Sequence, residues 1–283
     1  MGTILGAEII GRAALELQDT NFVRWSVAEH LLALEDGQRQ IVLRKPDAYS
    51  KNVNLILTVS ATRQTLPSDG IMLLDIVKNM GTDGETPGKA ITRTEKAIMD
   101  SQYPDWHIAA ASSVVRHFMY DERDPVHFYV YPPQPATDPG YIEIIYSASP
   151  PPLIASWRPE TVYAEGDYCV PNIPNEHLYL IDAGDGGTSA AAEPSWPTGS
   201  GATVSDGTCT WTEVDFVVQQ QISIPDVYMP QLIDYVLYKA YAKDADTSPY
   251  AAQKSQFHLQ AFLTALGSQE QAENIYNRET PGG

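Results

Sequence analysis

Residues 224–244 read IPDVYMPQLIDYVLYKAYAKD, and their spacing decides the scaffold. Ile233, Val236, Leu237, Ala240 and Tyr241 recur at helical intervals, which places them on one buried face. Pro230 falls in the first turn, where a missing N–H is tolerated, and Asp226 is placed to cap the helix. A second helix is expected from about Pro249. His258, Ala261, Phe262, Ala265 and Leu266 share one of its faces, Gly267 supplies its stop, and the tail RETPGG reads as frayed. Four tyrosines of this region, Tyr228, Tyr235, Tyr238 and Tyr241, are amphipathic and suit subunit interfaces. Single exposed tyrosines are also ordinary, so both readings stand.

Helical signals reappear at the other end of the chain. Ile10, Ala13, Ala14 and Leu17 mark a helix over 3–18. Ser26 followed by Glu29 fits a capping box, with Val27, Leu31, Leu34 and Ile41 recurring behind it until Lys45-Pro46. Between the two helical ends the pattern changes. Val53–Val59 alternates as a half-buried strand, Leu66–Gly70 is a turn cluster, and Ile71–Met80 is an apolar run. Residues 81–89 read as an exposed loop and Thr94–Asp100 as one short helix. Segments 113–120, 126–131 and 141–146 read as further strands, the last two joined by Pro132–Pro139.

Residues 155–216 differ from the rest. They hold ten acids and one base, a net of −9 out of −18 for the 283-residue chain, with both cysteines and three of the five tryptophans. Short Tyr/Val/Thr runs broken by Gly, Pro and Asp read as all-β. Pro150-Pro151-Pro152 forms a stiff connector before them. At ~150 residues per domain the length suggests about two domains, here one inserted into the other. The fold class expected is α+β: a helical bundle from both chain ends with a small β-sheet region, and an inserted all-β domain. The boundaries are 1–153 with 217–283 for the core, and 154–216 for the insert.

Thirty-six acids against 18 bases argue against a nucleic-acid grip, which needs clustered Lys and Arg. The 43% hydrophobic content is enough for a core, and no apolar run is long enough to span a membrane. The start MGTILGAEII lacks the signature of a signal peptide, so cytoplasmic synthesis is the expectation.

No catalytic constellation is legible. Ser60 and Ser195 lack a nucleophile elbow, and the histidines 30, 107, 117, 127, 177 and 258 share no metal-binding spacing. Asp182-Ala-Gly-Asp185 has oxygen ligands but no closing Glu, so a plain acidic turn outweighs a calcium loop. No cofactor, metal or enzymatic role is expected. Cys169 and Cys209 lie in expected strands and read either as neighbours across a sheet or as buried thiols, which a reducing compartment favours. Trp157, Tyr163, Tyr168, Tyr179, Trp196 and Trp211 crowd into 55 residues. They read either as the core that a small module needs, or as faces that stack on sugar rings or partner side chains.

The stretch Ile224-Pro225-Asp226-x-Tyr228-x(3)-Leu232-Ile233-Asp234-Tyr235-x-Leu237-Tyr238-Lys239-Ala240-Tyr241-x-Lys243-Asp244 resembles tailed-phage head-to-tail adaptor (connector) proteins. Ala252, His258, Phe262 and Leu266-Gly267 continue it. Arg24-Trp25, Pro46, Leu66-Pro67, Pro104-x-Trp106 and Phe128-x-Val130-Tyr131-Pro132 agree in order. Within the insert, Trp157-x-Pro159, Tyr163-x(2)-Gly166-Asp167, Tyr179, Glu193-Pro194-x-Trp196-Pro197 and Asp206-Gly207-Thr208-x-Thr210-Trp211 resemble chitinase-type carbohydrate-binding modules. The first resemblance implies a structural virion protein: a ring of copies, twelve as a rule, docked on the portal protein and offering a platform to a tail or nozzle protein. Duplex DNA passes through its channel as cargo, its place is the virion neck, and it is assembled in the bacterial cytoplasm. The insert then has four roles open to it: contact with tail fibres, with the capsid or with sugar, or only filling space at the collar. The alternative is a carbohydrate-binding accessory protein acting through 157–214.

Overall fold

The helix expected over 3–18 forms as α1, Gly6–Leu17, burying Ile9, Ile10, Ala13 and Ala14. It starts late because the residues before it are drawn into pairing with a distant segment. Ile222 N–H donates to the Ile4 carbonyl, and Gly6 N–H to the Gln220 carbonyl. α2 follows over Val27–Arg44. Ser26 Oγ accepts the Glu29 N–H at 3.3 Å, which is half of a capping box. The other half is not made, because the Glu29 carboxylate pairs with Lys243 instead. The computed structural model describes residues 2–279. It divides into two compact units, Met1–Gln40 with Pro150–Gly283, and Ile41–Ser149, so the boundary falls inside α2.

The unit 41–149 carries β1 (Ser50–Ile56), β2 (Arg63–Thr65), β3 (Gly70–Asn79), β4 (Thr92–Arg93), α3 (Lys96–Gln102), β5 (His117–Tyr120), β6 (His127–Tyr131) and β7 (Tyr141–Ala148). The strands form sheets of order β1-β7-β3 and β2-β6-β5-β4. Residues 50–65 and 127–148 are two long bent runs lying antiparallel: Ser50 to Ile56 face Ser147 to Tyr141, and Arg63 to Thr65 face Tyr129 to His127. The Pro132–Pro139 loop joins β6 to β7 as expected. The strand expected from 113 begins only at His117, because Val115 N–H is taken by the Asn79 side chain at 2.7 Å. Leu73, Ile76, Phe118, Phe128, Val130, Ile142 and Ile144 are buried in this unit.

In the second unit the chain from Pro150 builds β8 (Ala155–Ser156), β9 (Val162–Tyr163), β10 (Tyr168–Val170), β11 (Leu178–Ile181), β12 (Gly187–Thr188), β13 (Thr203–Asp206) and β14 (Cys209–Val214). Five of them form a sheet of order β13-β14-β11-β10-β8, and β12 pairs with β9. The all-β reading of the insert holds, and the molecule is α+β.

Two helices close the chain, α4 (Met229–Lys243) and α5 (Pro249–Glu279). α4 buries Leu232, Tyr235, Val236, Leu237 and Ala240, with Pro230 in its first turn. Asp226 does not cap it. Its carboxylate instead accepts the N–H and hydroxyl of Thr3 at 2.7 and 2.6 Å. α5 does not stop at Gly267. One helical glycine costs only about 1 kcal/mol relative to alanine, and Gly267 does not adopt the left-handed conformation of a C-cap. Arg278 and Glu279 of the tail are helical, and 280–283 lie outside the described residues. α2 approaches α4 closely at Gly37: a Cβ there would meet Tyr235 Cδ1 at 3.1 Å and Leu232 Cδ2 at 3.2 Å.

Candidate assembly surface

The helices of the larger unit position the four tyrosines differently. Tyr228 and Tyr235 are buried within the chain, whereas Tyr238 and Tyr241 are half-buried. Tyr235 packs on Phe262 of α5 with ring centroids 5.1 Å apart, and edge-on against Tyr238 at 5.6 Å. Tyr241 stacks on His258 at 5.8 Å, and His258 Nδ1 lies 2.9 Å from Asp234 Oδ1. The face of α4 read as a subunit surface is therefore largely the seam between α4 and α5.

The segments leading into and out of the β module are gripped by α2. Glu35 Oε1 accepts the N–H of Leu153 at 2.8 Å, and one turn on, Gln38 Oε1 accepts the N–H of Ser223 at 2.7 Å. Both side chains are buried. Burial pushes the Glu35 carboxyl above the usual glutamate range, against the opposing pull of the Leu153 N–H. The returning segment 218–226 is also paired with the chain start, through Ala7, Ile4 and Thr3. No sequence signal marks Glu35 or Gln38: each is one polar residue in an amphipathic helix, and its partner lies more than a hundred residues away.

The module has a core of its own, formed by Trp157, Tyr163, Cys169, Tyr179, Ile181, Cys209 and Trp211, with Trp196 and Val204 packed against it. Asp206 is the polar centre. Its Oδ2 accepts the indole N–H groups of Trp157 and Trp211 at 2.7 and 3.0 Å, and its Oδ1 accepts Ala190 N–H at 2.8 Å. Trp157, Tyr163, Tyr179 and Trp211 are spent on this core and show no face to a ligand. Trp196 is half-buried, lies 4.3 Å from Tyr179 and donates to Glu193. The cysteines are free thiols, and β11 lies between their strands, so they are not neighbours across a ladder. Burial pushes the Cys169 thiol far up, which makes it inert.

Charge is divided very unequally between the units. Residues 1–40 and 150–283 hold 23 acids and eight bases, a net of −15, whereas 41–149 holds 13 acids and ten bases, a net of −3. Among the described residues no cluster of His, Cys, Asp and Glu could hold a metal ion, and no helix is long and apolar enough to cross a membrane.

The family model described as SU10 adaptor protein matches residues 6–194 and 194–282, nearly the whole chain. The chain belongs to the SU10 adaptor protein family. Its role is that of a phage adaptor, and the match runs through the β module as well as the helices. No curated protein matches this SU10-family adaptor.

Proposed function

We propose that this adaptor is the repeating subunit of a head-to-tail ring, of twelve copies, that docks on the portal and carries the tail or nozzle protein. The observation that carries this reading is the match of one adaptor family model across residues 6–282. Duplex DNA passes through the ring as cargo rather than as ligand. The −15 charge of the helical and module unit fits that role, since carboxylates repel a passing polyanion. The protein acts as structure, without catalysis, and its place is the virion neck. The module stands as an appendage available to tail fibres. The test is imaging of the neck in purified virions, together with the ratio of this chain to the portal protein. A ring seated on the portal at a fixed ratio is expected, and absence of the chain from particles overturns the reading.

A further inference from the structure

The run 50–65 forms an edge whose other side is unpaired. Leu57 N–H donates to the Gly140 carbonyl, and the register from Ser50↔Ser147 to Ile56↔Tyr141 has no bulge. In an antiparallel ladder the bonding groups alternate, so Lys51, Val53 and Leu55 turn theirs toward β7. Ser50, Asn52, Asn54 and Ile56 turn theirs away. The odd positions of β7 confirm the phase, since Tyr141 N–H and carbonyl both bond on the β3 side, to Gly81 and Met80. In β2 the bonds Val130 N–H to Thr62 and Leu66 N–H to Val126 leave Arg63 and Thr65 facing outward. Among the described residues these six backbones have no partner, and all six residues are exposed.

Natural sheets blunt such edges with proline, bulges or dense charge. This one has none of the three. Ala48–Ser68 has a single proline, Pro67, beyond β2, no acid, and two bases, Lys51 and Arg63, each already paired on the sheet. The bend at 57–62 is held by buried Gln64, which accepts the Thr58 N–H at 2.6 Å and donates to the Ala61 carbonyl at 3.2 Å. Ile56 and Val59 stand out at 52% and 46% exposure.

We infer that this edge takes an added strand from a second copy of the chain. Copies that each carry −18 repel, so they meet most easily where unpaired acids are fewest: this edge strand carries none, and the neighbouring Asp69 and Asp124 are paired with its Lys51 and Arg63. The complementary segment is β13, the open edge of the acidic module. There Glu213 N–H bonds to the Ala202 carbonyl, so Val204 faces β14 while Thr203 and Ser205 face outward. Two different edges on one chain make a head-to-tail contact, the kind that closes into a ring, with main-chain hydrogen bonds supplying affinity. The inference rests on the ring reading.

Proline removes a donor, so its effect depends on which way that donor points. Ile56→Pro deletes an N–H the fold does not use, whereas Leu55→Pro deletes one that β7 needs. The chain and its variants are compared by melting and by mass photometry, with and without portal. Ile56→Pro and Ser205→Pro are expected to melt within a few degrees of the parent and to lose ring species at least tenfold. Ile56→Asp, which keeps the donor but adds an acid facing an acidic partner, is expected to weaken assembly too, and it serves if proline unfolds the strand. Rings formed normally by the Ile56 variants overturn the edge and leave the ring reading intact. Loss in the Ile56 variants with normal assembly of Ser205→Pro overturns the pairing with β13. Variants that form rings but no longer hold the portal assign the edge to the portal, which also overturns the inference. A parent chain that stays monomeric with portal present overturns the ring reading and this contact with it.

Discussion

Glu35 on α2 accepts the N–H of Leu153 at 2.8 Å, on the segment that leads into the β module. The carboxyl is buried and its proton affinity is raised by that burial. Glu35→Ala leaves the Leu153 donor without its acceptor and should cost about 1–3 kcal/mol. Glu35→Gln keeps an acceptor and should cost less. The pH dependence has a definite sign. A folded pKa above the unfolded one means the native state holds the proton more readily, so stability falls as pH rises from the ordinary glutamate range through the raised value. The parent should therefore lose stability relative to Glu35→Gln across that window. Urea unfolding of both at a series of pH values checks this, and parallel curves would contradict it.

Gly37 governs how closely α2 lies on α4. With Tyr235 and Leu232 only 3.1 and 3.2 Å from where a Cβ would stand, a large side chain has no room. Gly37→Leu should destabilise by about 1–3 kcal/mol through overpacking, even though leucine is the better helix former. An unchanged denaturation midpoint would mean the two helices can separate freely.

Leu237 of α4 and Phe262 of α5 are both fully buried. Truncating either to alanine should cost about 2–5 kcal/mol. These two positions also show what was legible in the sequence. The helical period alone places Leu237, Val236, Ala240, Phe262 and Leu266 on inward faces. Gly267 and Asp226 were misleading for the same local reason. A glycine is a stop only if it turns left-handed, and an aspartate is a cap only if no better donor competes. Here the helix runs on through Gly267, and Thr3 takes Asp226. The open edge at 50–65 was not legible at all, because which amides face outward depends on register with residues 127–148.

The aromatic crowding of the module was visible as composition, but its meaning was set by one acid. Asp206→Ala strips acceptors from two indoles and a backbone amide in a buried centre. At about 1–3 kcal/mol for each donor left unsatisfied, that exceeds what a module of this size can spare. The expected result is a red shift and broadening of tryptophan emission with helical circular dichroism largely kept. Loss of both signals together would show that the module and helices unfold as one.

Deleting 155–216 tests the same independence from the other side. The anchors on α2 lie outside the deleted stretch: Leu153 on Glu35 and Ser223 on Gln38 remain, as do the bonds from Gly6 and Ala7 to Gln220 and Val218. Every residue of the module core in which Trp157, Tyr179 and Trp211 take part is removed together, so no half of it is left exposed. We therefore expect a short Gly/Ser bridge from Ile154 to Val217 to give a folded, helical protein with a single cooperative melt. The charge falls from −18 to −9, so the shortened chain should also self-associate with weaker salt dependence if its copies meet through surfaces other than the module. If the copies meet through β13, the same protein should melt cooperatively yet form no rings. A deletion that unfolds the helices would place the true boundary elsewhere, with α2 dependent on the module rather than merely holding it.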